Sequence, residues 1–485
     1  MSVSTSEIIP CSITERWPVF RKASLDLSTS WLPSVTLLLN DAFSWPAIFF
    51  LLSQIRFVFS GSPGELGWNQ LLLPAIVNCA ILHTIAGYDR KTRMRSVSYA
   101  VEHGLALFIA FVISAVLVYG LFAFNDLIKP SRLIFCGSFA IFAIHTFYVR
   151  AWLAGALHSH HSRRALLLIA DPTTAESFSA VYRRRQMPQE LRVYMPDSEE
   201  ANNYVVSPGG TRVWGDWRQA ISDVDRESDG VIIGVPFSRI DPDFARFLAY
   251  LHFRHIPVYT LESFYAQQWR QVPAENINAC WAFAQDSLLV RDSIYDYIKR
   301  ICEGFLATVG LLAISPLFLA IAVGIRCESR GPAIFRQERV GRNEKIFTLF
   351  KFRTMSIGAE NGAIYTAAGD RRITRLGRLL RCFRLDELPQ LVNVLKGDMS
   401  LIGPRAEWVK CADRYAAQIP FYNYRHLVRP GITGWAQVNY PYGESQEDAL
   451  EKLRYDLFYI RHYSLVLDLT IILKTFQVMA SAKGR

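Results

Sequence analysis

Two acidic residues stand side by side at Asp386-Glu387, directly after a strongly basic run and directly before Leu388-Pro389-Gln390. Residues 326–384 carry fourteen Lys and Arg against five Asp and Glu. Some of these cations suit anionic lipid headgroups, where each contributes about 1 kcal/mol. Adjacent side chains inside a helix point about 100° apart, so a carboxylate pair converges poorly there. Proline fits a helix only in its first turn, which puts Asp386 and Glu387 at a helix start. There the helix dipole favours an ionised carboxylate and also a phosphate. One carboxylate of such a pair can attack phosphorus while the other holds a divalent cation that neutralises phosphate oxygens. Taken alone, the pair serves equally well as a helix cap with surface salt bridges. Further on, Gly403-Pro404-Arg405 and Arg429-Pro430-Gly431-Ile432-Thr433-Gly434 each set a guanidinium in a stiff turn. A phosphate clamp needs that arrangement, and ordinary turn chemistry also produces it.

The elements that must position these residues begin with an apolar stretch at 301–325, long enough to cross a membrane. Ser315-Pro316 sits in its middle, where proline removes a backbone hydrogen bond. Both flanks are basic: Arg291, Lys299 and Arg300 before it, Arg326, Arg330, Arg336 and Arg339 after it. A crossing helix cannot keep both flanks on the positive side. The expectation is a re-entrant helix that enters, breaks at Ser315-Pro316 and returns, with Ser315 or neighbouring helices serving the freed backbone groups; a plain kinked spanning helix is the alternative.

The 485 residues leave room for about three domains. With 51 % hydrophobic and 20 % charged residues, disorder and collagen are excluded, and only part of the chain belongs in lipid. A net charge of +10 favours anionic partners such as phospholipid or a phosphorylated substrate. Nucleic acid is set aside, because no recognition motif accompanies the basic run. Eight cysteines, no two within three residues, give neither a zinc spacing nor a disulfide framework. The first thirty residues lack the pattern of a cleaved signal peptide.

Four apolar stretches, near 31–59, 68–88, 103–124 and 131–155, predict a transmembrane bundle. Trp45-Pro46 in the first suggests a kinked or partly interfacial helix, and Asp41 is expected to face the bundle interior or the interface. Basic residues precede the first span, fill the loop 89–95 and follow the fourth span through Arg150. Both ends of the bundle are therefore expected on the cytoplasmic side. His158, His160 and His161 read as a solvated membrane-edge loop rather than a metal site. From about 164 to 275 short apolar runs at Ala165–Ala170, Leu191–Met195, 230–235 and 256–260 alternate with amphipathic stretches such as 241–255. That alternation predicts a small parallel α/β sheet. Its first turn, Ala170-Asp171-Pro172-Thr173, lacks Gly-x-Gly-x-x-Gly, so no NAD site is expected.

From Arg291 onward the chain resembles the bacterial sugar transferases, the monotopic polyprenyl-phosphate phosphoglycosyl transferases. The resemblance rests on ISPLFLAIAV, GPAIFRQERVGRNEKIFTLFKFRTM, RLDELPQLVNVLKGDMSLIGPR, RPGITGWAQVN and YDLFYIRHYSLVLDL. It implies a membrane protein of α plus α/β class, similar in layout to the large members that start exopolysaccharide, capsule or O-antigen units. Residues 1–160 would hold four transmembrane helices, 161–285 a Rossmann-like regulatory or oligomerisation domain, and 286–485 the mainly helical catalytic domain.

The implied reaction moves a hexose-1-phosphate from a UDP-hexose, UDP-glucose or UDP-galactose, to undecaprenyl phosphate, releasing UMP. It would proceed through an aspartyl-phosphosugar intermediate with Mg2+. By motif, Asp386 resembles the nucleophile and Glu387 the metal ligand. Arg381 and Arg405 would hold phosphates, and Lys351 and Arg353 would line the same site. The implied location is the bacterial inner membrane, multi-pass, in contact with phospholipid, with the catalytic domain on the cytoplasmic face. A homodimer is among the arrangements such a protein could take. Two departures bear on donor choice: many members have Ser or Thr where this chain has Arg384, and Pro where it has Ala406. The alternative is a catalytically inactive membrane-anchored scaffold, against which the intact acidic pair speaks.

Overall fold

The computed structural model describes residues 32–60, 68–85, 96–120, 131–158, 165–187, 189–196, 213–220, 228–235, 241–253, 256–276, 293–356, 372–440 and 445–480, with isolated positions between them. The chain divides between Phe264 and Tyr265 into two compact units.

The first unit opens with four apolar helices: α1 (Leu32–Ser60), α2 (Trp68–Thr84), α3 (Val97–Ala115, extended by a π turn to Gly120) and α4 (Arg132–His158). Helices α1, α3 and α4 are long and apolar enough to cross a membrane, whereas α2, with 17 residues, is shorter. A fourth helix of sufficient length lies in the second unit. Pro46 is accommodated inside α1, and Trp45 is fully buried against Phe139, with ring centroids 4.4 Å apart. Asp41 faces the bundle interior: its carboxylate meets the Arg150 guanidinium at 2.5 Å and accepts from Tyr88 Oη at 2.9 Å. Neither charge is exposed to solvent, so each depends on the other for its counter-ion. The basic residues before α1, those at 90–93 and Arg95, and the His158, His160 and His161 side chains lie outside the described residues.

The same unit contains a five-stranded parallel sheet built from β1 (Ala165–Ala170), β2 (Leu191–Met195), β3 (Val213–Asp216), β4 (Ser228–Gly234) and β5 (Val258–Thr260). The strand order is β3-β2-β1-β4-β5, with α5 (Pro172–Arg184) following β1, α6 (Pro242–Phe253) preceding β5 and a single turn, α7 (Leu261–Phe264), closing the unit. Central β1 is buried along its whole length, as its unbroken apolar sequence requires in a sheet covered on both faces.

The second unit begins with a strap. Gln271 Nε2 donates to Glu451 at 2.8 Å, the Val272 amide donates to Arg454 O at 3.0 Å, and Trp435 Nε1 donates to Arg270 O at 3.0 Å. Helix α8 (Ile294–Glu328) follows, then the antiparallel pair β6 (Ile334–Val340) and β7 (Ile346–Phe352), α9 (Arg375–Cys382), a 3-10 turn Leu385–Glu387 and α10 (Gln390–Lys396). After β8 (Ser400–Ile402) come α11 (Val409–Gln418), β9 (Gly431–Thr433), α12 (Trp435–Asn439), α13 (Gln446–Arg461) and α14 (Leu465–Ala480). The core gathers Trp435, Leu453, Leu457, Tyr459 and Ile471.

The expected break in α8 is not a break in secondary structure. The helix runs through Pro316 for 35 residues, about 52 Å at 1.5 Å per residue. Proline has no N–H to give to Leu312 O, four residues back, and Ser315 Oγ donates to that carbonyl at 2.9 Å instead. The hydroxyl thus serves the freed backbone carbonyl, and the helix continues past the proline.

Candidate active site

The acidic pair is set by three local features. Arg384 takes a left-handed conformation at φ 57°, which ends α9 and turns the chain. Leu385–Glu387 then make one 3-10 turn, and Pro389 stands at the N-cap of α10, which is only seven residues long. Finally, Asn393 bolts α10 to the free edge of β7. Its Oδ1 accepts from the Phe350 amide at 3.1 Å and its Nδ2 donates to Thr348 O at 2.7 Å. Two groups on that sheet edge are satisfied by one buried amide, and the helix that follows the acids is registered against the strand carrying Lys351.

Both acids are buried, with Asp386 9 % and Glu387 8 % exposed. Lys351 Nζ donates to Glu387 Oε1 at 3.0 Å, and Arg405 Nη2 donates to the same oxygen at 3.3 Å. Burial pushes the Glu387 carboxyl up, but Lys351 and Arg405 outweigh it and hold the group well below the usual carboxylate range. Asp386 differs. Burial raises its pKa, the Glu387 anion adds to the rise, and Lys351, Arg381 and Arg384 only partly oppose it. Burial also lowers the Lys351 pKa, against the pull of Glu387. No hydrogen bond to another described group occupies the Asp386 carboxylate. Two neighbouring carboxylates are thus held in different states: Glu387 is held as an anion by its two cations, and the Asp386 carboxyl is the more basic of the pair.

Arg405 reaches the pair because three glycines let two turns interlock. β8 and β9 pair in parallel, Ser400 beside Gly431 and Ile402 beside Thr433. A Cβ on Gly403 would lie 2.4 Å from Arg429 O, on Gly431 2.0 Å from Gly403 N, and on Gly434 2.1 Å from Gly403 O. No side chain fits at these contacts, which explains glycine in both motifs. A second polar layer ties the clasp to α8. Lys299 Nζ lies 2.7 Å from Asp468 Oδ2 and donates to Ile402 O at 3.0 Å, and Ser400 Oγ donates to Glu303 at 2.7 Å.

Of the residues expected here, Asp386, Glu387, Lys351 and Arg405 are brought together. Arg381 lies on α9 beside them, its Nε donating to Thr354 Oγ1 at 2.9 Å. Arg353 is not brought to the acids. Its guanidinium donates to Ser329 O at 2.7 Å and Arg330 O at 2.9 Å, so it clamps the end of α8. Arg429 pairs at 3.6 Å with Asp296, away from Glu387. Ser315 and Pro316 stay in the exposed middle of α8. Asn393 and Thr354 escaped the sequence reading, because neither residue type signals chemistry without its distant partner.

A divalent cation fits this donor set in one way. Both cationic partners of Glu387 engage Oε1, so Oε2 and the Asp386 carboxylate are the hard oxygen ligands on offer. Among the described residues no group of three or more His, Cys, Asp and Glu could hold a metal. Mg2+ commonly uses one or two carboxylates and completes its shell with water and substrate phosphates.

Residues 294–482 match the model of the bacterial sugar transferase family. A UDP-glucose:undecaprenyl-phosphate glucose-1-phosphate transferase of Caulobacter vibrioides is 43 % identical over 183 residues, which are 37 % of this chain and 68 % of that protein. The chain belongs to the bacterial sugar transferase family. Two further relatives of this sugar transferase carry different sugars in their names. A UDP-N-acetylgalactosamine-undecaprenyl-phosphate N-acetylgalactosaminephosphotransferase of Aeromonas hydrophila is 40 % identical over 257 residues, 53 % of this chain and 60 % of the relative. A UDP-glucose:undecaprenyl-phosphate glucose-1-phosphate transferase of Xanthomonas campestris is 45 % identical over 189 residues, 38 % of this chain and 39 % of the relative. The match thus spans 60 % and 39 % of the lengths of these two.

Proposed function

We propose that this sugar transferase moves a sugar-1-phosphate from a UDP-sugar to undecaprenyl phosphate at the cytoplasmic face of the bacterial inner membrane, as the first membrane step of a surface polysaccharide. The observation that carries the reading is the pair of unlike carboxylates, one bare and basic, the other pinned by Lys351 and Arg405. In the first half-reaction an Asp386 oxygen attacks the phosphorus that bears the sugar. The P–O bond to the UMP phosphate breaks, and UMP leaves with the electron pair. In the second, a phosphate oxygen of undecaprenyl phosphate attacks the same phosphorus, the aspartyl P–O bond breaks and Asp386 returns as carboxylate. On this reading Arg405 and Arg381 bind the phosphates, and Lys351 keeps Glu387 ionised. Glu387, with the substrate's phosphate oxygens, would hold Mg2+, which supplies neutralisation of phosphate charge.

The membrane reading draws on α8. Its first half packs Ala307 against Val394 and Met399, and its last turns pack Ile321 and Ile325 against Phe352 and Leu380. Between them Leu312, Leu317 and Leu319 are exposed. A helix crossing the bilayer squarely would carry β7 and α10, with their buried charges, into hydrocarbon. A helix dipping into one leaflet keeps both ends and the active site on one side, and exposed Leu379, Phe383, Leu473 and Phe476 would meet the same surface. We read the parallel sheet as a Rossmann-like regulatory or oligomerising module without an NAD site.

The test is UMP release by the full chain in nanodiscs with undecaprenyl phosphate and each of UDP-glucose, UDP-galactose, UDP-N-acetylglucosamine and UDP-N-acetylgalactosamine. Release with at least one donor, and a phosphosugar adduct on Asp386 by mass spectrometry, is expected. No release from any of them would end the proposal. Cysteine labelling near Asp296 and near Glu328 should report one side of the membrane; opposite sides would end the re-entrant reading.

A further inference from the structure

Behind Arg405 lies a buried arginine that the reaction scheme does not use. Arg425 has a side chain only 3 % exposed. One guanidinium nitrogen, Nη2, sits 2.8 Å from Asp456 Oδ2 and donates to the backbone carbonyl of Arg405 at 3.3 Å. The other, Nη1, donates to Glu407 Oε1 at 3.2 Å and also to Tyr422 Oη. Asp456 is 1 % exposed, and Arg425 is its only ion-pair partner among the described residues. A buried guanidinium shared between two carboxylates is expensive to desolvate, and hydrophobic residues of similar volume would generally serve stability as well. Its geometry, however, does something a hydrophobic replacement cannot. The planar fork takes two acids from α13 and the segment after β8 and applies the remaining N–H to the peptide that carries Arg405.

The neighbouring peptide is held from the other side. Arg339 Nη1 donates to Ala406 O at 3.0 Å, and the Val340 amide donates to Glu407 O at 3.0 Å. The three residues 405–407 are thus fixed on one side by β6 and on the other by Arg425. From this fixed peptide the Arg405 side chain reaches Glu387 at 3.3 Å.

We propose that Arg425, oriented by Asp456 and Glu407, is a positioning residue for Arg405: it fixes the peptide from which the Arg405 guanidinium meets Glu387 and the donor's phosphates. The inference rests on the UDP-sugar reading above. Arg425 itself touches neither acid of the pair. Its effect on donor binding therefore passes through Arg405 and vanishes when Arg405 is already gone. A residue that only holds the fold together would change the amount or melting temperature of folded protein and act equally in both backgrounds.

The experiment is a double-mutant cycle on the full chain in nanodiscs, read by UDP binding rather than turnover. Arg405→Ala should weaken UDP by about tenfold or more, the size of a charge-assisted hydrogen bond to phosphate. Arg425→Lys keeps a cation for Asp456 and Glu407 but cannot serve all four acceptors; it should weaken UDP by about fivefold at little change in melting temperature. In the Arg405→Ala background the same Arg425→Lys change should have no further effect on UDP. Glu407→Gln, which leaves the Asp456–Arg425 pair in place, is the second probe if Arg425→Lys folds poorly, and should show the same loss of effect. If either change weakens UDP by the same factor with and without Arg405, or not at all, the positioning role is overturned. If Arg405→Ala itself leaves UDP affinity unchanged, the donor reading of the site falls and takes this proposal with it.

Discussion

Replacing Asp386 by asparagine should separate chemistry from stability more sharply than any other change. The substitution exchanges an anion for a neutral amide of nearly the same shape. In the structure the Asp386 carboxylate makes no hydrogen bond to a described group, and burial together with the Glu387 anion raises its pKa above the ordinary value. A carboxyl whose folded pKa lies above its unfolded one binds more protons in the native state, so stability falls as pH rises through that interval and the deficit persists at neutral pH. Removing the charge removes the deficit. The folded Asp386→Asn protein should therefore match wild type to within about 1 kcal/mol, on the stabilising side. Turnover tells the opposite story. An amide cannot form the acyl phosphate, and the loss should be several orders of magnitude, about the 10⁴-fold or more seen when a nucleophile is removed from a catalytic unit. The assay is UMP release per folded enzyme with melting temperature on the same sample, plus mass spectrometry for the adduct. Release near the wild-type rate by a folded Asp386→Asn protein would refute the covalent route. A large loss of stability with normal turnover per folded molecule would instead identify the acidic pair as a helix cap.

Three further outcomes follow from the geometry. Lys351→Met removes the main influence opposing the rise at Asp386, so the acid limb of kcat/KM should move to higher pH; an unmoved limb would show that Asp386 does not titrate in the rate. The same change leaves Glu387 with Arg405 alone and should cost about 2 kcal/mol, less than a wholly unpaired buried charge, as measured by denaturation. Asn393→Ala removes both bonds between α10 and β7 and should cost about 2 kcal/mol while lowering kcat, whereas unchanged kcat in folded protein would detach α10 registration from catalysis. In the bundle, Asp41→Leu should cost about 3–5 kcal/mol by stranding Arg150, and Asp41→Leu combined with Arg150→Met should restore most of it in a thermal-shift assay.

What the sequence made legible followed from the range of its signals. Apolar runs are local, and the four bundle helices and strands β1, β2, β4 and β5 fall close to where those runs placed them. β3 was missed: Val213-Trp214-Gly215-Asp216 is four residues with a glycine inside, too short for alternation to show. Asp386 and Glu387 were legible because adjacency, a basic approach and Pro389 are all local facts. Arg405 was legible only as a guanidinium in a stiff turn and Lys351 only through resemblance to a family, since their approach to Glu387, 18 and 36 residues away in sequence, belongs to the fold. Arg353, two residues from Lys351 on the same motif, was assigned to the site, but the carbonyls at the end of α8 claim it. Asn393 and Arg425 were invisible for the same reason: an amide or a buried cation has no meaning until its partners, 45 and 31 residues away, are folded beside it.

The pairing of Asp41 with Arg150 also sets a timetable for biogenesis. The two residues are 109 positions apart, on the first and fourth helices of the bundle. On the scale of translocon insertion, a lone charge at the middle of a helix costs about 2.5–3.5 kcal/mol. When α1 emerges from the ribosome, its carboxylate has no counter-ion in the membrane. At about 5–20 residues per second, Arg150 is made roughly 5–20 s later. If the bundle inserts into a membrane as proposed, α1 is expected to wait at the insertion machinery or the interface during that interval, until α4 brings the guanidinium. On that account α1, made before α4, reaches its final depth only with it.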